Sequence, residues 1–197
     1  NPARPRHHGR LRPAEVCHRT RTQIPQADRP RGGPDRKLTL PERFLIAADL
    51  PGQLTIMPCP TGEDLPDQFA TFAKADITRI VSMLAPDEAA LLGVASEAAL
   101  CAKAGMVFEN HPIVDFGLPD ETAFRRLVIH IADHLQSGAH VAIHCRAGIG
   151  RSGMVASAVL IRLGQTPEQA IEQVSTGRGV SIPDTIEQRQ FILNFEK

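Results

Sequence analysis

The 197-residue chain has no tryptophan and no tyrosine; eight phenylalanines are its whole aromatic content. It has no run near the ~20 consecutive apolar residues that a bilayer crossing demands, and no charged-then-apolar stretch reads as a leader. The expectation is therefore a protein without a membrane anchor. Its four cysteines show neither metal-ligand spacing nor a disulfide framework. A reducing cytoplasm is the expected setting, with no metal and no other cofactor. No internal repeat is visible.

Charge of one sign is missing from the total but not from the parts. Lys and Arg number 22 against 22 Asp and Glu, yet residues 1–40 hold ten of the basic and three of the acidic ones, with six of the 16 prolines. Such a stretch buries too little apolar surface to offset chain entropy. Residues 1–40 are read as a basic, Pro/Arg-rich, disordered extension. It lacks the interleaved aromatics and the amphipathic period of a nucleic-acid or membrane binder, so neither partner is expected. The remainder, 41–197, has room for one core and one domain.

Within that domain, apolar runs alternate with helical periodicity. Strands are expected over Phe44–Ala48, Leu54–Met57, Arg79–Leu84, Met106–Glu109 and Ala139–His144. Helices are expected over Asp64–Lys74, Asp87–Leu91, Ala95–Ala104, Glu121–Gln136, Arg151–Leu163, Pro167–Ser175 and Thr185–Glu196. The alternation implies an α/β fold, a mainly parallel central sheet flanked by helices, with ligands at the carboxyl ends of the strands.

One segment, HCRAGIGRSG from His144 to Gly153, carries chemistry. It leaves the end of a buried strand and opens a helix. Backbone N–H groups of Arg146, Ala147, Gly148, Ile149 and Gly150 then line a nest for an oxyanion. Those amides and the helix dipole favour a thiolate at Cys145 over a thiol. Arg151 offers a planar fork that matches two oxygens of a phosphoryl group, which lysine could not reproduce. Ser152 can donate its hydroxyl to the sulfur as the thiolate departs. His144 is read as an orienting or packed neighbour. Cys17, Cys59 and Cys101 are read as small buried hydrophobes.

The segment resembles the Cys-x5-Arg-Ser/Thr signature of the cysteine-dependent protein phosphatases, tyrosine-specific and dual-specificity. HPIVDFGLPD (His111–Asp120) and TPEQAIEQV (Thr166–Val174) look most like the compact dual-specificity branch that includes kinase-associated phosphatase. The resemblance spans Pro41–Lys197. It implies a phosphoprotein substrate, Cys145 as the group that takes the phosphoryl, Arg151 as its holder, Ser152 as an aid to thioester breakdown, and an upstream aspartate as the acid. Phosphotyrosine, with or without phosphoserine/threonine, is the favoured substrate, and a small phosphorylated metabolite is an alternative. A non-catalytic phosphoprotein-binding module is the remaining alternative.

Displacing an aryl or alkyl oxygen requires a proton donor on the opposite side of the phosphorus. The glycine- and proline-bearing stretch Ile113–Asp120 offers Asp115 and Asp120. Asp120 directly precedes a helix start, where aspartate commonly caps. Asp115 lies thirty residues before Cys145, the approximate spacing in the compact branch, and is taken as the acid. The chain departs from the tyrosine-phosphatase pattern here, since Phe116 follows the acid and no Trp-Pro-Asp is present. By the same resemblance, Arg178 and Gly179 correspond to an arginine-glycine turn beside the pocket, and Gln188 to a glutamine that orients water. From the residues alone, Arg178 reads as a surface ion pair and Gln188 as a solvated helix face.

Overall fold

The computed structural model describes residues 40–61 and 64–195. The extension expected over 1–40 lies outside them, apart from Leu40, and so does Cys17. The described strands are β1 (Phe44–Ala47), β2 (Gln53–Met57), β3 (Arg79–Ser82), β4 (Val107–Asn110) and β5 (His140–His144). The helices are α1 (Leu65–Lys74), α2 (Pro86–Leu91), α3 (Glu97–Lys103), α4 (Glu121–Gln136), α5 (Gly150–Arg162), α6 (Pro167–Arg178) and α7 (Ile186–Leu193). Every element expected in 41–197 is present, and the α/β class holds.

The sheet order is β1-β2-β5-β3-β4, antiparallel only between β1 and β2. Side chains alternate across the central strands as the period of two requires. Val141 and Ile143 face a core with Ile131, Leu135, Val155 and Val159, whereas Ala142 joins Phe69, Phe72, Ile80 and Cys101 on the other side. Strands covered on both faces become continuous apolar runs, which is why they stood out in the sequence.

Register then places the loops. Met57 on β2 and Ser82 on β3 are both aligned with His144 on β5, so three strands end together. The segments that follow them emerge side by side at the carboxyl edge. From β5 a five-residue loop, 145–149, leads into α5, whose residues Gly150–Ile161 are all buried. A helix start this deep in the protein directs its unpaired N–H groups into a confined space.

Boundary shifts have local causes. Helix α6 runs to Arg178, beyond the expected Ser175, because the left-handed residue that can end it is Gly179, at φ 77°. The arginine-glycine turn is thus the last residue of α6 and its cap. Its start carries a reciprocal pair in which Thr166 accepts from the Gln169 N–H and Gln169 accepts from the Thr166 N–H.

Candidate active site

Cys145 sits immediately beyond β5, 3% exposed, with Sγ 3.4 Å from Ser152 Oγ on the first turn of α5. The loop between them is held open by glycine. Gly148 has φ +68°, and a Cβ there would stand 2.5 Å from the backbone carbonyl of Met57. Only glycine meets both demands. The loop is braced from outside as well, since the Cys59 N–H donates to the Arg146 carbonyl at 3.1 Å.

Arg178, read from sequence as a surface ion pair, instead donates from Nε to the Gly148 carbonyl at 2.9 Å and from Nη2 to the Ala147 carbonyl at 3.2 Å. Its guanidinium lies 3.9 Å from the centroid of the Phe44 ring. These bonds occupy outward-facing carbonyls of the loop.

Arg151 is the largest fully buried side chain of the described residues, 2% exposed. Its Nη1 and Nη2 donate to the two oxygens of Glu88 on α2, at 2.6 and 2.8 Å, and Nη1 also donates to the Ile113 carbonyl at 3.1 Å. The hydrogen bond to Arg151 holds the Glu88 carboxyl below the usual range, outweighing the burial that opposes it. A guanidinium has five N–H donors. Three are used, leaving Nε–H and one Nη2–H, with Asp115 Oδ1 3.0 Å from Nη2. Asp115 therefore faces the same guanidinium as the cysteine loop.

Asp120 stands elsewhere. It is the N-cap of α4, its Oδ1 accepting from the Ala123 N–H at 2.8 Å. Between the two aspartates, Phe116 adopts φ +58° and is 64% exposed, with Val114 and Leu118 also exposed. This loop presents an apolar rim beside Asp115.

The solvated reading of Gln188 does not hold. The residue is fully buried, its Nε2 donating to the Gly117 carbonyl at 3.1 Å. Its Oε1 has no hydrogen-bond partner and approaches Gly150 so closely that a Cβ there would lie 2.9 Å from it. Gln188 thus links the Asp115 segment to the start of α5. His144 is fully buried under the loop, Nε2 3.0 Å from Glu97 Oε1 on α3. Arg146 and Ala147 are exposed at the loop surface, and Gly148 and Gly150 are buried within it.

Sequence reasoning missed Glu88 and Asp184. Glu88 is one of two acidic residues in the first turn of the six-residue helix α2, a pattern with no local sign of a distant arginine. Asp184 receives the Gly150 N–H, and a Cβ on Gly150 would meet its Oδ2 at 2.4 Å. Burial raises its carboxyl above the ordinary range, the Gly150 bond opposes this, and the charge of Asp115 raises it further. Cys59 and Cys101 are small buried side chains, as expected, with burial pushing both thiols up to about 12.

A mostly parallel sheet with a Cys-x5-Arg loop at its carboxyl edge, and an aspartate facing that arginine from a neighbouring loop, define the dual-specificity phosphatase class. Residues 57–165 match the family described as "Polymorphic toxin system, DSP-PTPase phosphatase", and the chain belongs to that family. Human cyclin-dependent kinase inhibitor 3 is 34% identical over 93 residues, covering 46% of this chain and 44% of that protein. The chain thus matches less than half the length of this relative. A crystal structure of kinase-associated phosphatase with serine for its catalytic-site cysteine superposes with TM-score 0.73 at 22% identity, covering 80% of this chain and 94% of the other. Tk-PTP in a mutant form superposes with TM-score 0.61 at 25% identity, covering 73% and 89%.

Proposed function

We propose that the chain is a protein phosphatase that hydrolyses phosphotyrosine, and phosphoserine or phosphothreonine more slowly, through a cysteinyl-phosphate intermediate. The observation that carries this reading is the single guanidinium of Arg151 faced by both Asp115 and the cysteine loop, because it brings nucleophile, anion holder and proton donor to one phosphorus. The Cys145 thiolate attacks, the S–P bond forms as the P–O bond to the leaving group breaks, and Asp115 gives its proton to the departing oxygen. Loop amides and the free donors of Arg151 hold the equatorial oxygens.

Water then attacks the thiophosphate. Asp115 takes its proton, Gln188 Oε1 accepts from it, and phosphate leaves as the Ser152 hydroxyl, 3.4 Å away, donates to the returning thiolate. Preference for an aryl ester is supported by the exposed rim of Val114, Phe116 and Leu118, which offers a ring an apolar wall. The few cationic side chains on the inner loop disfavour an inositol lipid. The phosphatase wording of the matched family and of the structural neighbour, with the exposed rim of Val114, Phe116 and Leu118, supports a phosphorylated protein as partner, and a nucleophilic thiol suits a reducing cytoplasm.

The test is hydrolysis of an aryl phosphate, with a metal chelator present, by the parent and by Cys145→Ser, Asp115→Asn and Asp120→Asn proteins, together with rapid acid quench. Parent activity in chelator, a trapped cysteinyl-phosphate, no turnover by Cys145→Ser and a loss of about 10²-fold or more for Asp115→Asn are expected. Loss confined to Asp120→Asn overturns the acid assignment. A phosphopeptide panel separates tyrosine from serine/threonine, and tight phosphopeptide binding without turnover would leave a binding module.

A further inference from the structure

The expectation that no metal is bound rested on cysteine spacing alone, and the structure brings together a different donor set. His130 and His134, one helical turn apart, lie on the same face of α4. Their Nε2 atoms approach to 3.1 Å, with the rings edge to face. Glu109, at the end of β4, points at the same spot from the sheet, its carboxylate oxygens 3.2 Å from His130 Nε2. His111, two residues on, reaches within 3.5 Å of Glu109 Oε2. The ligand atoms of Glu109, His130 and His134 all lie within 4.8 Å of one another.

Hydrogen bonding among themselves does not satisfy these groups. A ring nitrogen carries either one hydrogen or one lone pair, so His130 Nε2 cannot fully serve both His134 and Glu109. A cation at their common centre serves all three. Spacing selects its size, because two donors on a tetrahedral zinc with bonds of about 2.0–2.1 Å stand about 3.3 Å apart. The His130–His134 and His130–Glu109 separations of 3.1 and 3.2 Å match that edge, and Glu109 and His134, within 4.8 Å of each other, close onto the ion by side-chain rotation. Arg79 grips Glu109 Oε1, which leaves Oε2 as the ligand oxygen and orients the carboxylate.

We propose that Glu109, His130 and His134 form a zinc site on the face of β4 and α4, apart from the cysteine loop, with water in the fourth position. Imidazole and carboxylate donors in this number suit zinc over magnesium or calcium. The bound ion fastens Glu109, six residues before Asp115, to α4, and so fixes the foot of the Asp115 loop. It takes no part in phosphoryl transfer.

The test uses the 197-residue chain as the Cys145→Ser protein, which removes the active-site thiol as a competing ligand. Zinc is titrated against a chromophoric chelator. One ion per chain is expected, with cobalt giving the visible absorption of a four-coordinate site and zinc raising the melting temperature. Adding His130→Ala and His134→Ala should weaken binding by about 100-fold or more, since changes behind the ligands alone cost 10–100-fold. Both histidines are partly exposed, and circular dichroism checks that the variant stays folded. Undiminished zinc in that variant would place the ion elsewhere, with His7, His8, Cys17 and His18 as the competing donors, and overturns the proposal. So does Cys145→Ser protein that fails to withdraw zinc from the chelator.

Discussion

Replacing Glu88 by glutamine isolates what holds Arg151 in place. In the parent, both carboxylate oxygens accept from the guanidinium, at 2.6 and 2.8 Å, around a side chain 2% exposed. Glutamine keeps the shape but retains one acceptor, and its amide N–H groups then face an N–H of Arg151. One charge-assisted hydrogen bond is lost, about 1.5–3 kcal/mol, and a buried donor is left opposed. Taking about 2–3 kcal/mol, kcat/KM for an aryl phosphate should fall roughly 30–150-fold. Affinity for vanadate should fall in parallel, and the melting temperature by about 4–12 °C.

The sign with pH follows from the lowered Glu88 carboxyl. Its contribution to stability is complete above the unfolded value of about 4.3 and is lost as pH falls through the lower folded value, so parent and variant should converge in strong acid. The opposite reasoning treats Glu88 as a competitor that neutralises Arg151. If Glu88→Gln binds vanadate more tightly at unchanged kcat/KM, that view stands and the positioning role is refuted.

Gly148→Ala should abolish turnover and destabilise the fold by about 2 kcal/mol or more, because the new Cβ meets the Met57 backbone at 2.5 Å in a left-handed residue; denaturant melts and an aryl-phosphate assay read both. Asp120→Ala removes the cap of α4 and should cost about 1 kcal/mol, a melting shift of about 2–4 °C, with kcat/KM near the parent's. For Asp184, a folded carboxyl raised by burial means a contribution that is present in acid and lost as pH rises. Asp184→Asn should therefore melt above the parent at pH 7, lose that advantage below about pH 4, and bind phosphate more tightly in competition assays.

The fold was legible because its signals are local. Five strands and seven helices follow from runs such as His140–Ile143 and the apolar face Phe124, Leu127, Val128, Ile131 and Leu135 of α4. The cysteine loop was legible for the same reason, since Cys145, Gly148, Arg151 and Ser152 lie within eight residues. What escaped was the company these residues keep. Arg178 lies 30 residues from Gly148, Gln188 lies 71 from Gly117, and Glu88 lies 63 from Arg151. Each is polar and sits on a helix where periodicity alone predicts solvent. Burial came from the sheet edge gathering separate loops, a property of register that no single stretch encodes. The antiparallel β1 was hidden likewise, because strand direction depends on its partner.

These distant carboxylates change how the site must bind its anion. Glu88, Asp115 and Asp184 surround the loop, while Arg151 is already matched by Glu88. With Arg146 and Arg178 also on the loop, three cationic groups face three carboxylates, so under the proposed mechanism it is the directed amides of Arg146–Arg151, more than net charge, that grip a phosphate dianion. An ionised Asp115, 3.0 Å from Arg151 Nη2, would repel that dianion. Protonating it removes the repulsion and loads the proton that the leaving oxygen needs. Under the proposed mechanism, one protonation thus serves both entry and catalysis, and Asp115→Asn should bind a phosphoester at least as tightly as the parent while turning it over far more slowly.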